Sequence, residues 1–171
     1  MKDSDLEPLA RMPLLKYLWI GENTVTEKGL AVLARLPHLE TLALDDIDTR
    51  SAPLGFLPKM ASVFNLTLYQ CSVSPEACQN IAAMPGLKSL SFFGTSLEKN
   101  SLRALTGSTS VRSLDLRSTT VTDTSIPELT SLTMLNELDV SATDITEEGA
   151  TALRQALPNC NVRRSAISSR E

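Results

Sequence analysis

Two carboxylates, Asp115 and Asp139, stand 24 residues apart in matching surroundings, Leu-Asp-Leu and Leu-Asp-Val, and face each other if those segments are neighbouring strands. A carboxyl pair about 5 Å apart can serve glycoside hydrolysis. Such chemistry also needs walls that exclude water and groups that position a substrate, and nothing around either residue supplies them. An enzyme using the Asp115/Asp139 pair is therefore the remote reading. The sole histidine, His38, lies in a Leu-Pro-His-Leu-Glu connector with no Ser, Cys or Asp forced beside it. Cys71, Cys78 and Cys160 are an odd number without metal-ligand or redox spacing, as expected of reduced thiols that pack as small apolar groups. The expectation is a chain with no catalytic residue, no metal and no cofactor.

What positions these residues is a period of 24. Stepping from Leu15 gives Leu39, Val63, Leu87, Val111 and Leu135 without insertion or deletion. Three residues on come Leu18, Leu42, Leu66, Leu90, Leu114 and Leu138, and five on come Ile20, Leu44, Leu68, Phe92, Leu116 and Val140. A second set follows ten, fifteen, eighteen and twenty-one residues into each unit, for example Val73, Cys78, Ile81 and Met84. Over these seven columns 40 of 42 positions are apolar, the exceptions being Thr49 and Ser108, where a 42% hydrophobic composition supplies roughly 18. Each unit reads as a short strand, a turn, and a return segment with helical spacing.

The helix starts carry their own marks. Thr26, Ser74, Thr122 and Thr146 share one column just before the return segments, where a side-chain oxygen can cap a helix and the acidic residues that follow suit its positive end. The second unit departs, because Thr49-Arg50-Ser51-Ala52-Pro53 lacks the pattern, and its return is expected to be loop or a short 3₁₀ turn.

The strand pattern LxxLxLxx(N/T/C)x(V/I/L)T, continued by (D/E)xGL and LxxLP, resembles the leucine-rich repeat family over nearly the whole chain. "NTVTEKG" at 23–29 and "TDITEEG" at 143–149 are similar to the 24-residue threonine-type repeats of many bacterial proteins and of F-box-type substrate receptors. The resemblance implies an α/β fold: a right-handed leucine-rich repeat solenoid, a curved arc with parallel strands on its concave face and helices or short helical turns on the convex one. It also implies that the residue eight places into each unit bonds to turn backbone. Asn23, Cys71, Thr95, Thr119 and Thr143 can do so and Ile47 cannot, which predicts an irregular second turn.

The expected organisation is a single domain over 1–171, with a partial unit at 1–14, units starting at 15, 39, 63, 87, 111 and 135, and a C-terminal cap at about 158–171. Leu6, Leu9 and Met12 fit the helical columns of a preceding unit, so the chain opens in mid-repeat, as a fragment of a longer array or with a minimal cap. "LPNCNVRRS" at 157–165 reads as a last short strand and a basic tail.

With the leucines turned inward, the residues two, four and six places into each unit point out of the concave sheet. Of only seven aromatic residues, four fall there: Tyr17, Trp19, Tyr69 and Phe93. Large rings on a solvated sheet gain from being covered, and aromatic side chains are enriched at binding hot spots. Tyr17 and Trp19 lie on the first strand, where a neighbouring repeat or cap is the competing explanation. The same columns hold Asp45 (followed by Asp46), then Asp115, Arg117, Glu137 and Asp139. Like charges one strand apart cost stability unless a basic partner, a cation or Arg117 offsets them. These nine residues, Tyr17, Trp19, Asp45, Tyr69, Phe93, Asp115, Arg117, Glu137 and Asp139, are the candidate contacts for a protein partner. The alternative role is the recognition arm of a larger protein, such as a ubiquitin-ligase-like receptor or a bacterial effector.

A net charge of −4 and a pI near 5.1 speak against a phosphate-backbone partner, which calls for a clustered basic face. The N-terminus lacks the layout of a secretory signal and no apolar run has spanning length. No nucleic acid, no membrane and a cytoplasmic location are expected, export by a signal absent from this chain remaining open.

Overall fold

The protein is described from a computed structural model, which places residues 2–21, 25–106 and 108–165. Among the described residues nine strands are formed: β1 (Tyr17–Ile20), β2 (Thr41–Asp45), β3 (Asn65–Tyr69), β4 (Ser72–Val73), β5 (Ser89–Ser91), β6 (Ser96–Leu97), β7 (Ser113–Asp115), β8 (Glu137–Asp139) and β9 (Asn161–Arg163). Seven of them make one parallel sheet in the order β1-β2-β3-β5-β7-β8-β9. Leu18, Leu42, Leu66, Leu90, Leu114, Leu138 and Val162 line up across it. The register is a strict step of 24 because a slip of one would turn every inward leucine to solvent. The last strand, β9, is the one expected at the cap. β4 and β6 form a second, two-stranded ladder beside the turns.

In the second to sixth units the turn is made by a residue in the left-handed region at one column: Asp46, Gln70, Gly94, Ser118 and Ala142, with φ between 50° and 66°. The following column ties it down. The hydroxyls of Thr95, Thr119 and Thr143 donate to the carbonyls of Leu68, Leu116 and Val140 at 2.9, 2.6 and 2.6 Å. Asn23 lies outside the described residues. The irregular second turn does not occur: Asp46 has the common conformation, and the Ile47 N–H donates 3.4 Å to the Cys71 thiol, so the next unit's side chain supplies what Ile47 lacks.

The return segments vary more. They run from the ten-residue α6 (Glu147–Ala156), through α1 (Asp3–Leu6), α2 (Glu27–Leu30), α3 (Pro75–Ala82), α4 (Ser101–Leu105) and α5 (Ile126–Thr130), to a mere 3₁₀ turn at Leu57–Lys59 in the second unit, as its missing start signal predicts. Thr49, the polar exception in an apolar column, is fully buried. Its hydroxyl accepts the Ser74 N–H at 2.7 Å and donates to Ser74 Oγ at 3.1 Å. Strands about 4.8 Å apart against helices at roughly 8–10 Å make the helical side the longer arc, leaving the sheet concave.

The helix-start carboxylates do something other than complement their own helix. Asp123 accepts the backbone N–H and the hydroxyl of Thr146, in the next unit, at 2.9 and 2.7 Å, and Asp3 takes the same two groups of Thr26 at 2.8 and 2.6 Å. Thr146 also caps its own helix, its hydroxyl accepting the Gly149 N–H at 3.0 Å, and Ser74 and Thr122 make cap bonds of their own, whereas Thr26 makes none. The Thr26 hydroxyl and N–H hold the Asp3 carboxyl below its ordinary range. Glu27 clamps likewise, onto the N–H groups of Leu54 and Gly55 at 2.8 and 2.7 Å. Gly29 and Gly149 lie beneath the clamping aspartates, where any Cβ would collide with Asp3 or Asp123; this is the physical content of the (D/E)xGL pattern. The clamp column holds Ser51 and Pro75 in the second and third units and Lys99 in the fourth. There a cleft of about 390 Å³ opens between α4 and α5, lined by Lys99, Asn100, Arg103, Thr122, Ser125 and Glu128.

The core runs unbroken from Leu6 to Val162. Leu9 is half-buried but Met12 is exposed, so the first segment fills the helical columns only in part. In α6 the core position falls to Leu157 in place of the exposed Ala156. Burial pushes the Cys71 and Cys78 thiols up to about 11 and about 12, which keeps them protonated and unreactive. Among the described residues no helix is long and apolar enough to cross a membrane.

Candidate functional site on the exposed sheet face

Inward and outward positions alternate along every strand, with burial patterns such as Thr41–Asp45 showing buried leucines between half-exposed neighbours. The nine candidate residues all lie on the outward side, but they divide into two groups with different chemistry.

Toward the C-terminal strands, Tyr69 and Phe93 stack with ring centroids 5.4 Å apart and planes within 2°. The Arg117 guanidinium continues the stack, its Cζ 5.1 Å from the Phe93 centroid. Arg117 is also bound to Asp115. Its Nε and Nη2 donate to the two carboxylate oxygens at 2.9 and 2.8 Å, and its backbone N–H donates at 3.0 Å. Ser91 Oγ adds a bond of 3.0 Å. Burial opposes the charge on Asp115, but the bonds from Arg117 and Ser91 outweigh it and hold the carboxyl below its ordinary range; the Asp115 bond raises Arg117 in turn. Asp139 faces Asp115 in register and takes the Ser141 N–H at 2.9 Å, with Arg117 Nε 3.9 Å away. Arg163 stands opposite Asp139 in the β8–β9 register.

The like-charge clash expected of Asp115 and Asp139 is therefore met from within the chain, and it does not call for a basic partner or a bound cation. Glu137 stays exposed at the rim, accepting Ser113 Oγ at 3.4 Å. The groove between these strands holds about 270 Å³ and is open to solvent. A carboxylate bound on both oxygens by a guanidinium is poorly placed to exchange protons with a substrate.

At the other end the groups are not satisfied. Tyr17 and Trp19 are 67% and 68% exposed. The Trp19 ring leans into the space left by Gly21, where a Cβ would come within 3.0 Å of Trp19 Cζ2 and 3.2 Å of Asp45 Oδ2. Asp45 thus sits between Trp19 and Tyr69, its direct register partner. Its Oδ1 is buried and makes no hydrogen bond among the described residues. Ala43 and Thr67, in register with Trp19, form a floor of small side chains. Sequence reasoning found Trp19 and Asp45 as outward residues but missed Gly21, whose missing side chain admits the indole; the only signal was one glycine in a column otherwise filled by side chains. It also missed Ser91 and Ser141, which complete the carboxylate network.

Comparison with known proteins bears on the fold. Residues 131–153 match the family described as Leucine Rich repeat. An internalin from Listeria monocytogenes superposes with a TM-score of 0.53 at 18% identity, over 97% of this chain and 53% of the internalin. A leucine-rich repeat protein from Leptospira interrogans superposes with a TM-score of 0.51 at 15% identity, over 92% of this chain and 50% of its own. The chain thus spans about half the length of these structures. No curated protein matches it.

Proposed function

We propose that this leucine-rich repeat chain is a binding module that docks a partner protein on its concave sheet, with Tyr69, Phe93, Trp19 and Tyr17 as the main contacts. The observation that carries the reading is the exposure of Tyr17 and Trp19 in the same face as a ready-stacked Tyr69–Phe93 pair. Rings held in one orientation lose little entropy when covered, and aromatic anchors dominate interface energetics. Arg117, Asp115, Asp139 and Glu137 then form a polar rim beside them, and Asp45 a charged contact. The test is affinity capture with the wild type and with a Tyr69→Ala/Phe93→Ala double variant whose circular dichroism matches it. Loss of the captured partner is the expected result; equal capture by both would move the site off this face.

A second reading, a recognition arm of a larger protein, is favoured by the match to only about half of each solved structure. Sequencing the flanking gene tests it, and in-frame coding sequence for a further module is what it requires.

A further inference from the structure

The outward column that runs Gly21, Asp45, Tyr69, Phe93, Arg117 holds a pattern at one end that is incomplete at the other. At the complete end the guanidinium of an arginine sits over Phe93 and donates from two nitrogens to a carboxylate, Asp115. At the other end Tyr69 has Phe93 against one face and Asp45 as its register neighbour on the opposite side. Asp45 brings the carboxylate, with one buried oxygen lacking any hydrogen bond among the described residues, and the Trp19 indole stands on the far side. Aromatic face and carboxylate are both present, and the cation is the missing member.

Resting on the docking reading above, we infer that the sheet surface over Asp45, between the Trp19 indole on one side and the Tyr69 ring on the other, takes an arginine side chain of the partner, its guanidinium paired with the Asp45 carboxylate and lying against the rings. The charge match is direct. A carboxylate with one oxygen lacking any hydrogen bond among the described residues, set beside two π faces, repels an anionic side chain and favours a planar cation over a neutral amide, because the ion pair and the cation–π contact act together. Arginine is favoured over lysine because its flat, weakly hydrated fork both stacks and donates in pairs, as Arg117 does three strands along the sheet from Asp45. The floor of Ala43 and Thr67 leaves room above the sheet for the side chain's stem.

Trp19 is the single tryptophan of the chain, so its fluorescence reports on this surface. Titration of the whole chain with the acetylated, amidated peptide Gly-Arg-Gly should give a saturable change with a Kd on the order of millimolar, as befits one side chain. The isosteric citrulline peptide, and the Asp45→Asn variant with the arginine peptide, should each bind about tenfold more weakly, while Glu148→Gln, exposed in the first turn of α6, leaves binding unchanged. A lysine peptide binding as tightly as arginine would overturn the guanidinium assignment. No saturable change with the arginine peptide, or equal binding by citrulline, would overturn the site. If the arginine peptide fails while the Tyr69→Ala/Phe93→Ala variant still loses its captured partner, this inference falls and the docking face stands. If the peptide binds as expected while capture is unchanged in that variant, the docking reading falls instead.

Discussion

Asp115 and Asp45 both sit on the exposed sheet beside an aromatic ring, yet they are in opposite states. Asp115 receives three hydrogen bonds from Arg117 and one from Ser91. Asp45 keeps a buried oxygen with none. The difference comes from which residue stands at hand: the residue two places after Asp115 is an arginine that folds back onto it, while the group packed beside Asp45 is an indole reaching over from Trp19 and Gly21. A satisfied carboxylate stabilises the solenoid, and an unsatisfied one costs stability that a visiting group could recover. The face therefore has a structural end and a receptive end.

The largest test of that division lies under the rings. Phe92→Ala should cost about 3–5 kcal/mol in urea unfolding, since it empties a core place, while Phe93→Ala on the outward side should cost under about 1.5. Equal costs would make the stack part of the core and dissolve the comparison. Next, Arg117→Ala should cost about 1–2 kcal/mol, a charged hydrogen-bond loss reduced by the arginine's partial exposure, whereas Trp19→Ala at the receptive end should stay within about 0.5. The same urea series reads both.

The third test uses pH. The folded Asp115 carboxyl is held below its unfolded range, so its contribution is complete above about pH 4, the ordinary carboxyl value, and is lost as pH falls through the folded value. Melting temperature followed downward from pH 5 should therefore drop more steeply in wild type than in Asp115→Asn; parallel curves would break the assignment. The smallest effect is expected at Asp45, where Asp45→Ala should leave unfolding free energy unchanged or raise it by up to about 1 kcal/mol. A clear loss would show that Asp45 is structural after all.

The fold was legible because the period is exact enough to repeat seven apolar columns without a gap, so strand, register and face follow from counting. Leu18, Leu42 and Leu66 could be aligned before any coordinates existed, and so could the outward Tyr69 and Phe93. The clamps were harder to see. Asp3 and Asp123 share a column, but their partners, Thr26 and Thr146, lie in the next unit, and local helix rules assign a carboxylate to the helix that contains it. At the exposed face, columns name neighbours but not rotamers. Nothing in the sequence says that Arg117 bends to Asp115, that Trp19 leans over Gly21, or that Asp45 is left unpaired, because those outcomes depend on side-chain packing between strands.

The lysine in the clamp column of the fourth unit has a consequence for how the solenoid comes apart. In a stack where each repeat touches only its neighbours, resistance to pulling is set by the weakest seam. Where Asp123 or Asp3 reaches across, two hydrogen bonds must be torn at once; Ser51 and Pro75 also lack the carboxylate, but there the Thr49–Ser74 and Ser101–Val73 hydrogen bonds cross the seam, whereas at Lys99 a cleft opens. Under tension along its axis the molecule is expected to part first between its fourth and fifth repeats, as single-molecule pulling would read, and that break would draw Arg117 off Phe93 and cut the stack that ties the two halves of the face together.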